Sequence, residues 1–538
     1  MQNIFSTLKT FCKTKLFFLT VLSVTIFVVY GKAINFDFIN LDEDTLIESN
    51  ITHLSSIKNI PEFFLTSCYF TKTSFYYRPL LTVSFCLETS VFGYNKIVYH
   101  FTNIILFIFS LYLMYVFSLK FKINSGISKF IVLLFAVHPV FTTLPVWVPA
   151  RNDTLLIIFI LLSFIKLSDY VQFNKKTDLI LFVLFFVSAL FTKESAIFLF
   201  ILYPLFLYCV EYKFVKKHIY MYISLLAIIV VYLFLRNCSV ASMNIISYFV
   251  NILNYLNNIV FGVCNYIFFF FVPYKIPTML LNETISYRSL MVFCLFTFVF
   301  VGFYYKNIKY RKILLFSTVW FLLFLIPTFF QREYVFLAHR LFVPSVGLLI
   351  FLSIFIEELI LKVHILKKYM FILFIVLFGY FVYISFTFQN TFSNRQTFWQ
   401  QANIDAPNYH FVPYNLADMY LQQGNYEKYK EFIFKAYNLK NGKIHFFNIV
   451  PVLMKEGQTD KVKQVCFNIL QDNNSKLFFK VGANIVMGQI CLQEHNIKQA
   501  YAYFKIASEL DKMNMKLANK VKELETEINR NQQKKLFF

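Results

Sequence analysis

The chain alternates long apolar runs with short polar connections as far as residue 388, then changes to a mixed pattern with helical periodicity. Runs of about 18 apolar residues or more are long enough to cross a ~30 Å hydrocarbon core as helix. They fall near residues 16–34, 98–118, 130–148, 154–171, 178–192, 194–211, 219–236, 289–305, 313–330, 341–360 and 369–388, which predicts eleven spans and termini on opposite sides. Alternate connections hold most of the basic residues: Lys120, Lys122 and Lys129; Lys166, Lys175 and Lys176; Lys213, Lys216 and Lys217; Lys306, Lys309, Arg311 and Lys312; Lys362, Lys367 and Lys368. The positive-inside rule makes that side cytosolic, together with the N-terminus. The other connections are poorer, with Arg151 in one, Lys193 in another, and Arg332 and Arg340 in a third. The first run follows Lys9, Lys13 and Lys15 and ends in bulky residues, so it reads as a retained anchor, not a cleaved signal.

Residues 244–273 do not fit the alternation. Ile246, Phe249, Val250, Leu253, Leu256 and Val260 share one helical face, and Asn251, Asn254, Asn257 and Asn258 the other. This predicts an interfacial or re-entrant helix on the outer side. After residue 390 an internal repeat emerges. Leu416, Ala417, Tyr420, Tyr426, Ala436 and Leu439 recur in spacing as Met487, Gly488, Cys491, Ile497, Ala507 and Leu510, with a weaker copy over 444–476. A period of about 34 residues is that of tetratricopeptide helix hairpins, whose small residues let neighbouring helices approach. Ala500, Phe504 and Ala507 form the small-large-small set of the last unit, and a polar helix over 515–535 caps the stack. The fold class is therefore all-α, a membrane helix bundle followed by an α-solenoid.

The net charge of +22 brings nucleic acid to mind, but its Lys and Arg lie in short loops facing lipid headgroups, so no nucleic-acid partner is expected. Nine Cys show no CxxC pairing, which points to neither a zinc site nor a disulfide framework. Cys68 and Cys86 share one outer loop, which allows a pairing, but the favoured reading is two unpaired thiols.

Chemistry enters with Asp42-Glu43-Asp44, in the outer loop 35–97 just beyond the first span. Carboxylates at the rim of a bundle suit an enzyme whose substrate is held in the membrane; the alternative is a solvated acidic loop. Five stretches, FINLDEDTLI, YRPLLTVSFCLETSVFGYNKIVYHFTNIIL, FAVHPVFTTLPVWVPARNDTLL, LFTKESAI and LAHRLFVPSVGL, together with the repeat tail, resemble the TMTC-like membrane glycosyltransferases of the GT-C fold class. That resemblance implies a GT-C-like transmembrane domain over residues 1–390 and an extracytoplasmic repeat domain over 391–538. It also implies inverting transfer of a mannose-like sugar from a polyprenyl or dolichyl phosphate to a hydroxyl acceptor, such as protein Ser or Thr.

Such a reaction needs a carboxylate to take the acceptor proton. Asp42 is the candidate base, with Glu43 in the second acidic position of the motif and Asp44 and Asp37 as secondary candidates. Cations are needed where the lipid phosphate leaves. Arg340, Lys193, Arg151 and Arg78 are the candidates, although Lys and Arg at span ends also snorkel to the interface for purely structural reasons. His138 lies in the outer half of its span, either at the substrate or bonded into the bundle. The sequence departs from relatives, which commonly read HPxHxE, by placing Phe141 and Thr143 at the second His and the Glu; His339 replaces a usual acidic residue, and Glu43 a common Asp. The departure at Thr143 keeps open a second class of function, a catalytically silent membrane scaffold whose repeats bind a partner. A transporter lacks support, because no inverted repeat is evident. The lipid-linked sugar donor is the one cofactor implied, a divalent metal stays open, and both a bacterial inner membrane and an endoplasmic-reticulum membrane fit.

Overall fold

The computed structural model describes residues 14–71, 74–210, 216–240, 252–281, 286–329, 335–363, 366–439, 442–472, 475–511 and 514–536. Lys9, Lys13, Lys213, Arg332 and residues 244–251 therefore lie outside the described residues. Among these, the one β-ladder is a two-residue antiparallel pairing of Leu280–Leu281 with Val335–Phe336; nearly everything else is helix. The chain divides into two compact units, Met1–Gln401 and Ala402–Phe538.

All eleven expected apolar segments are helical, but fewer pass as spans. Among the described residues seven helices are long and apolar enough: Lys15–Asn35, Lys96–Phe121, Val148–Phe173, His218–Ser239, Tyr287–Lys306, Ile308–Phe329 and Tyr369–Phe392. An eighth arises if Ser125–Ala136 and Pro139–Val146, bent by 59°, count as one. The other segments fall short for local reasons. Lys176–Thr192 has 17 residues, Glu194–Cys209 is shorter, and Ser345–Lys362 carries Glu357, Glu358 and Lys362 near its end. The bend falls at Pro139, which lacks the N–H group that a continuous helix needs. Residues 135–151 around it are buried throughout, which is where irregular backbone can survive at membrane depth.

The described part of the expected interfacial or re-entrant segment is the helix Ile252–Phe271. Leu256 and Val260, on its apolar face, are exposed, whereas Asn258 and Asn265 are buried. Asn258 donates to the Phe329 carbonyl at 3.3 Å and Asn265 to that of Phe261 at 2.9 Å. In a lipid solvent the apolar face looks outward and amides seek partners inside the protein. Its C-terminal half packs Phe270 on His138 and Phe269 on Phe336.

A close helix crossing supports this bundle. Gly347 in Ser345–Lys362 lies against Arg311–Leu325, where Ser317 donates to the Gly347 carbonyl at 2.7 Å. A Cβ at 347 would come 2.3 Å from the Ser317 backbone oxygen. Backbone cannot rotate away as a side chain would, so Gly347→Ala should lower stability by about 1–3 kcal/mol, read as a lower melting temperature in detergent.

In the second unit, Phe411–Gln422 pairs with Tyr426–Asn438, Phe446–Lys455 with Thr459–Gln471, and Leu477–Gln493 with Ile497–Leu510; Met515–Leu536 follows. The three hairpins turn alike. Asn425, Gln458 and Asn496 each donate backward to the carbonyl five residues earlier, Tyr420, Leu453 and Cys491. The preceding residue has positive φ in each: Gly424 at 73°, Gly457 at 70° and His495 at 57°. Glycine suits two of these turns because it has no Cβ to clash there. Ala500, Phe504 and Ala507 are buried together with Leu517 and Leu524 of the last helix.

Candidate functional site

The acidic stretch is held by backbone, not by the side chain of its first acid. Asp42 precedes the one-turn helix Glu43–Leu46, and its carbonyl accepts from Leu46 N at 2.9 Å and Thr45 Oγ1 at 3.2 Å. Glu43 turns back, with Oε2 accepting from Leu41 N at 3.1 Å and Asp42 N at 3.3 Å. Trp399 Nε1 donates to the Ile39 carbonyl at 3.0 Å, fixing the approach to the motif. The loop 35–97 has its own core of Phe38, Leu46, Ile47, Leu54 and Phe63, joined to Tyr99 and Val148 of the bundle.

The Asp42 carboxyl thus remains available to other groups. It takes a hydrogen bond from the Tyr69 hydroxyl and feels the charges of Arg78 and Arg340. Burial pushes its pKa up to about 6 despite both arginines, and Asp44 adds to the rise by like charge. Glu43 rises to about 7, through burial and, less, the Asp42 charge. Asp44 is half-buried and bonded to Thr45 N at 2.8 Å.

The cations converge from three connections. Arg78, at the start of Pro79–Phe92, has Nε 3.6 Å from Glu194 Oε2 and its guanidinium 4.5 Å over the Tyr76 ring. Its Nη1 also reaches the Asn152 side-chain oxygen at 3.2 Å, in the amide orientation that satisfies both groups. Lys193, capping Lys176–Thr192, pairs with Asp153 at 2.6 Å. Asp153 lies in the first turn of Arg151–Phe173, and its other oxygen is 4.0 Å from His339 Nε2. Arg340, in the short turn Ala338–Leu341, donates to the Val335 carbonyl at 3.2 Å. Burial lowers the Lys193 pKa, with Arg78 and Arg340 adding repulsion, although Asp153 opposes this. His339 is pushed down to about 3 by burial, even though Asp153 pulls the other way, so it is neutral at physiological pH.

The cluster therefore joins Asp42, Arg78, Arg340, Lys193 and His339 with Asp153, Glu194 and Tyr69. The last three were not singled out in the sequence. Two had a signal there, since Asp153 follows Arg151 by two residues in a span's first turn and Glu194 adjoins Lys193. Tyr69 had none, because its approach to Asp42 depends on how the loop folds.

Three expected residues sit elsewhere. Arg151 is fully buried: Nε donates to Asn103 Oδ1 at 2.8 Å, Nη1 to Glu88 at 2.7 Å and Nη2 to the Tyr99 carbonyl at 2.9 Å. These bonds occupy its donors inside the bundle, so a free phosphate contact is replaced by a structural one. His138 uses both ring nitrogens, accepting from Val140 N at 3.3 Å and facing the Phe270 carbonyl at 2.9 Å, with its ring stacked on Phe270. Asp37 pairs with Lys96. Thr143 is buried with its hydroxyl unpartnered, and Phe141 fills apolar space against Phe135 and Phe342.

No three His, Cys, Asp or Glu side chains among the described residues converge as metal ligands. Every described Cys is free, Cys68 and Cys86 included. The site lies at one end of the bundle, beside Asn35, Lys96 and Asp153; at the far end of the same helices Lys120 pairs with Asp169 and Lys166 with Asp178.

No protein-family pattern and no solved structure matches the chain. Two curated proteins are similar over 91 residues, or 17% of the chain: protein O-mannosyl-transferase TMTC1 of Mus musculus, 37% identical, and that of Homo sapiens, 36% identical. The aligned stretch spans 10% of each relative. This supports a TMTC-like relationship for that stretch.

Proposed function

We propose that the chain is an integral-membrane glycosyltransferase that moves a mannose-like sugar from a polyprenyl-phosphate carrier to a hydroxyl acceptor, a protein Ser or Thr, on the extracytoplasmic side. The observation that carries this reading is the shared environment of Asp42, Arg78 and Arg340, with Lys193 coupled to both arginines. Asp42 takes the acceptor proton as the acceptor oxygen forms its bond to the anomeric carbon. The carbon–oxygen bond to the lipid phosphate breaks on the opposite face, inverting the centre. Arg340, Lys193 and Arg78 receive the departing phosphate. Glu43 positions the base by holding the N–H groups of Leu41 and Asp42. No step is assigned to a metal.

The sidedness rests on charge: the basic connections gather at the end opposite Asp42, and the positive-inside rule places that end in the cytosol. The hairpins of the second unit, with their near-regular spacing, are read as tetratricopeptide repeats that present the acceptor.

The base works only when ionised. Transfer should therefore rise with pH through about 6 and level off above it, with the acidic limb shifting in Asp42 variants. A rate that is flat from pH 5 to 8 would contradict Asp42 as the base (an interval of about one decade of ionisation on either side of a pKa near 6 to 7).

The direct test incubates purified protein in nanodiscs with radiolabelled mannosyl polyprenyl phosphate and Ser/Thr peptides. The expected result is label on the peptide, released by alkaline β-elimination. If no sugar or peptide pairing is turned over while the repeats retain a bound partner, the scaffold reading replaces this one; the Phe141 and Thr143 departures are what favour it.

A further inference from the structure

Two hairpins of the second unit begin side by side, and their first turns carry apolar side chains that the fold does not cover. Ile444, Phe447, Leu477 and Phe478 are exposed, Phe478 by 69%. The two hairpins meet at this tip, with the Phe447 ring 4.8 Å from Phe478 and 5.7 Å from Phe479, and Ile444 and Leu477 flank these rings in the chain. Phe447 rests directly over Gly482, where a Cβ would come within 2.5 Å of the ring. Below the tip, Phe446 is buried and Phe479 packs against the core of Ile449, Val450 and Ile469, so the exposed rings stand on a rigid base. Lys443 pairs with Asp472 beside them. Lys476 is exposed and Lys480 partly so, on the same first turn as Leu477 and Phe478.

Exposed rings flanked by lysines match the chemistry of a bilayer interface. Aromatic and aliphatic groups enter the acyl boundary, and ammonium groups stay at anionic headgroups. The chain itself supplies that surface, because the unit follows the apolar helix Tyr369–Phe392. Tethering makes the local concentration of lipid high, so even a weak tip is enough to dock. We propose that the tip formed by Ile444, Phe447, Leu477 and Phe478, with Lys476 and Lys480, inserts into the headgroup region of an anionic bilayer. The proposal needs only a membrane-anchored chain and is independent of the transferase reading.

The test is hydrogen–deuterium exchange of the full chain in nanodiscs of phosphatidylcholine with and without phosphatidylglycerol. Backbone amides in segments 442–450 and 475–482 should exchange about tenfold more slowly in the anionic discs. Leu477→Ser/Phe478→Ser should abolish that protection while leaving exchange in Ile497–Leu510 unchanged, which shows that the unit is still folded. Equal exchange in both discs overturns the proposal. So does protection that persists in the double variant, grows with protein concentration, or appears only on adding an acceptor peptide, since the last two place a second copy or a peptide on the tip.

Discussion

Asp42→Asn should reduce sugar transfer by about 10²–10⁴-fold, the usual contribution of a positioned general base, while leaving the protein folded. The folding half follows from the local bonds. The Asp42 side chain caps no helix, and the loop is held through its carbonyl and through Glu43. The stability change has a definite sign. Burial raises the Asp42 pKa to about 6, above that of an unfolded aspartate, so the folded chain binds the proton more tightly and this carboxyl favours folding least once both states are ionised. A neutral amide removes the cost of a partly buried charge. Near neutral pH the melting temperature should therefore be equal to or above that of the wild type, with activity lost. Glu43→Gln should behave differently: its one amide oxygen can take over both N–H bonds that a single Glu43 oxygen now accepts, so activity falls less than in Asp42→Asn and stability changes little. Equal activity of Asp42→Asn and wild type would remove Asp42 from the chemistry.

Arg151→Met should destabilise the bundle by about 3–5 kcal/mol, the loss expected when one member of a buried ion pair is removed. Glu88 would be left buried without its cation, and Asn103 Oδ1 and the Tyr99 carbonyl would lose their donors. Replacing the pair together, as Arg151→Met with Glu88→Leu, should recover most of that loss, because no unpaired charge remains. Melting curves in detergent read both variants. A fully stable Arg151→Met protein whose polyprenyl-phosphate affinity had dropped would instead return Arg151 to the substrate.

Arg151 shows where sequence reasoning ran out. A cation at the head of a span looks the same in sequence whether it faces a headgroup or a neighbouring helix; Glu88, 63 residues earlier, decides between these. Lys193 and Arg340 have the same appearance, yet in the fold they join Arg78. The apolar runs were legible because period and length alone make them helices. Their status as spans was not, since Pro139 bends one segment and Glu357 and Glu358 load the end of another. In the second unit the left-handed turn residue is glycine at 424 and 457 but His495 in the third hairpin, so residue identity alone does not mark all three turns.

The central claim is that Asp42 and the cations of Arg78, Lys193 and Arg340 serve one lipid-linked sugar. A cryo-EM map of the nanodisc-embedded Asp42→Asn protein with bound mannosyl polyprenyl phosphate tests it most directly. Phosphate density is expected in hydrogen-bonding contact with Arg340 and Lys193, with the anomeric carbon turned toward residue 42. Phosphate density at the opposite end of the bundle, beside Lys120 and Lys166, would contradict it.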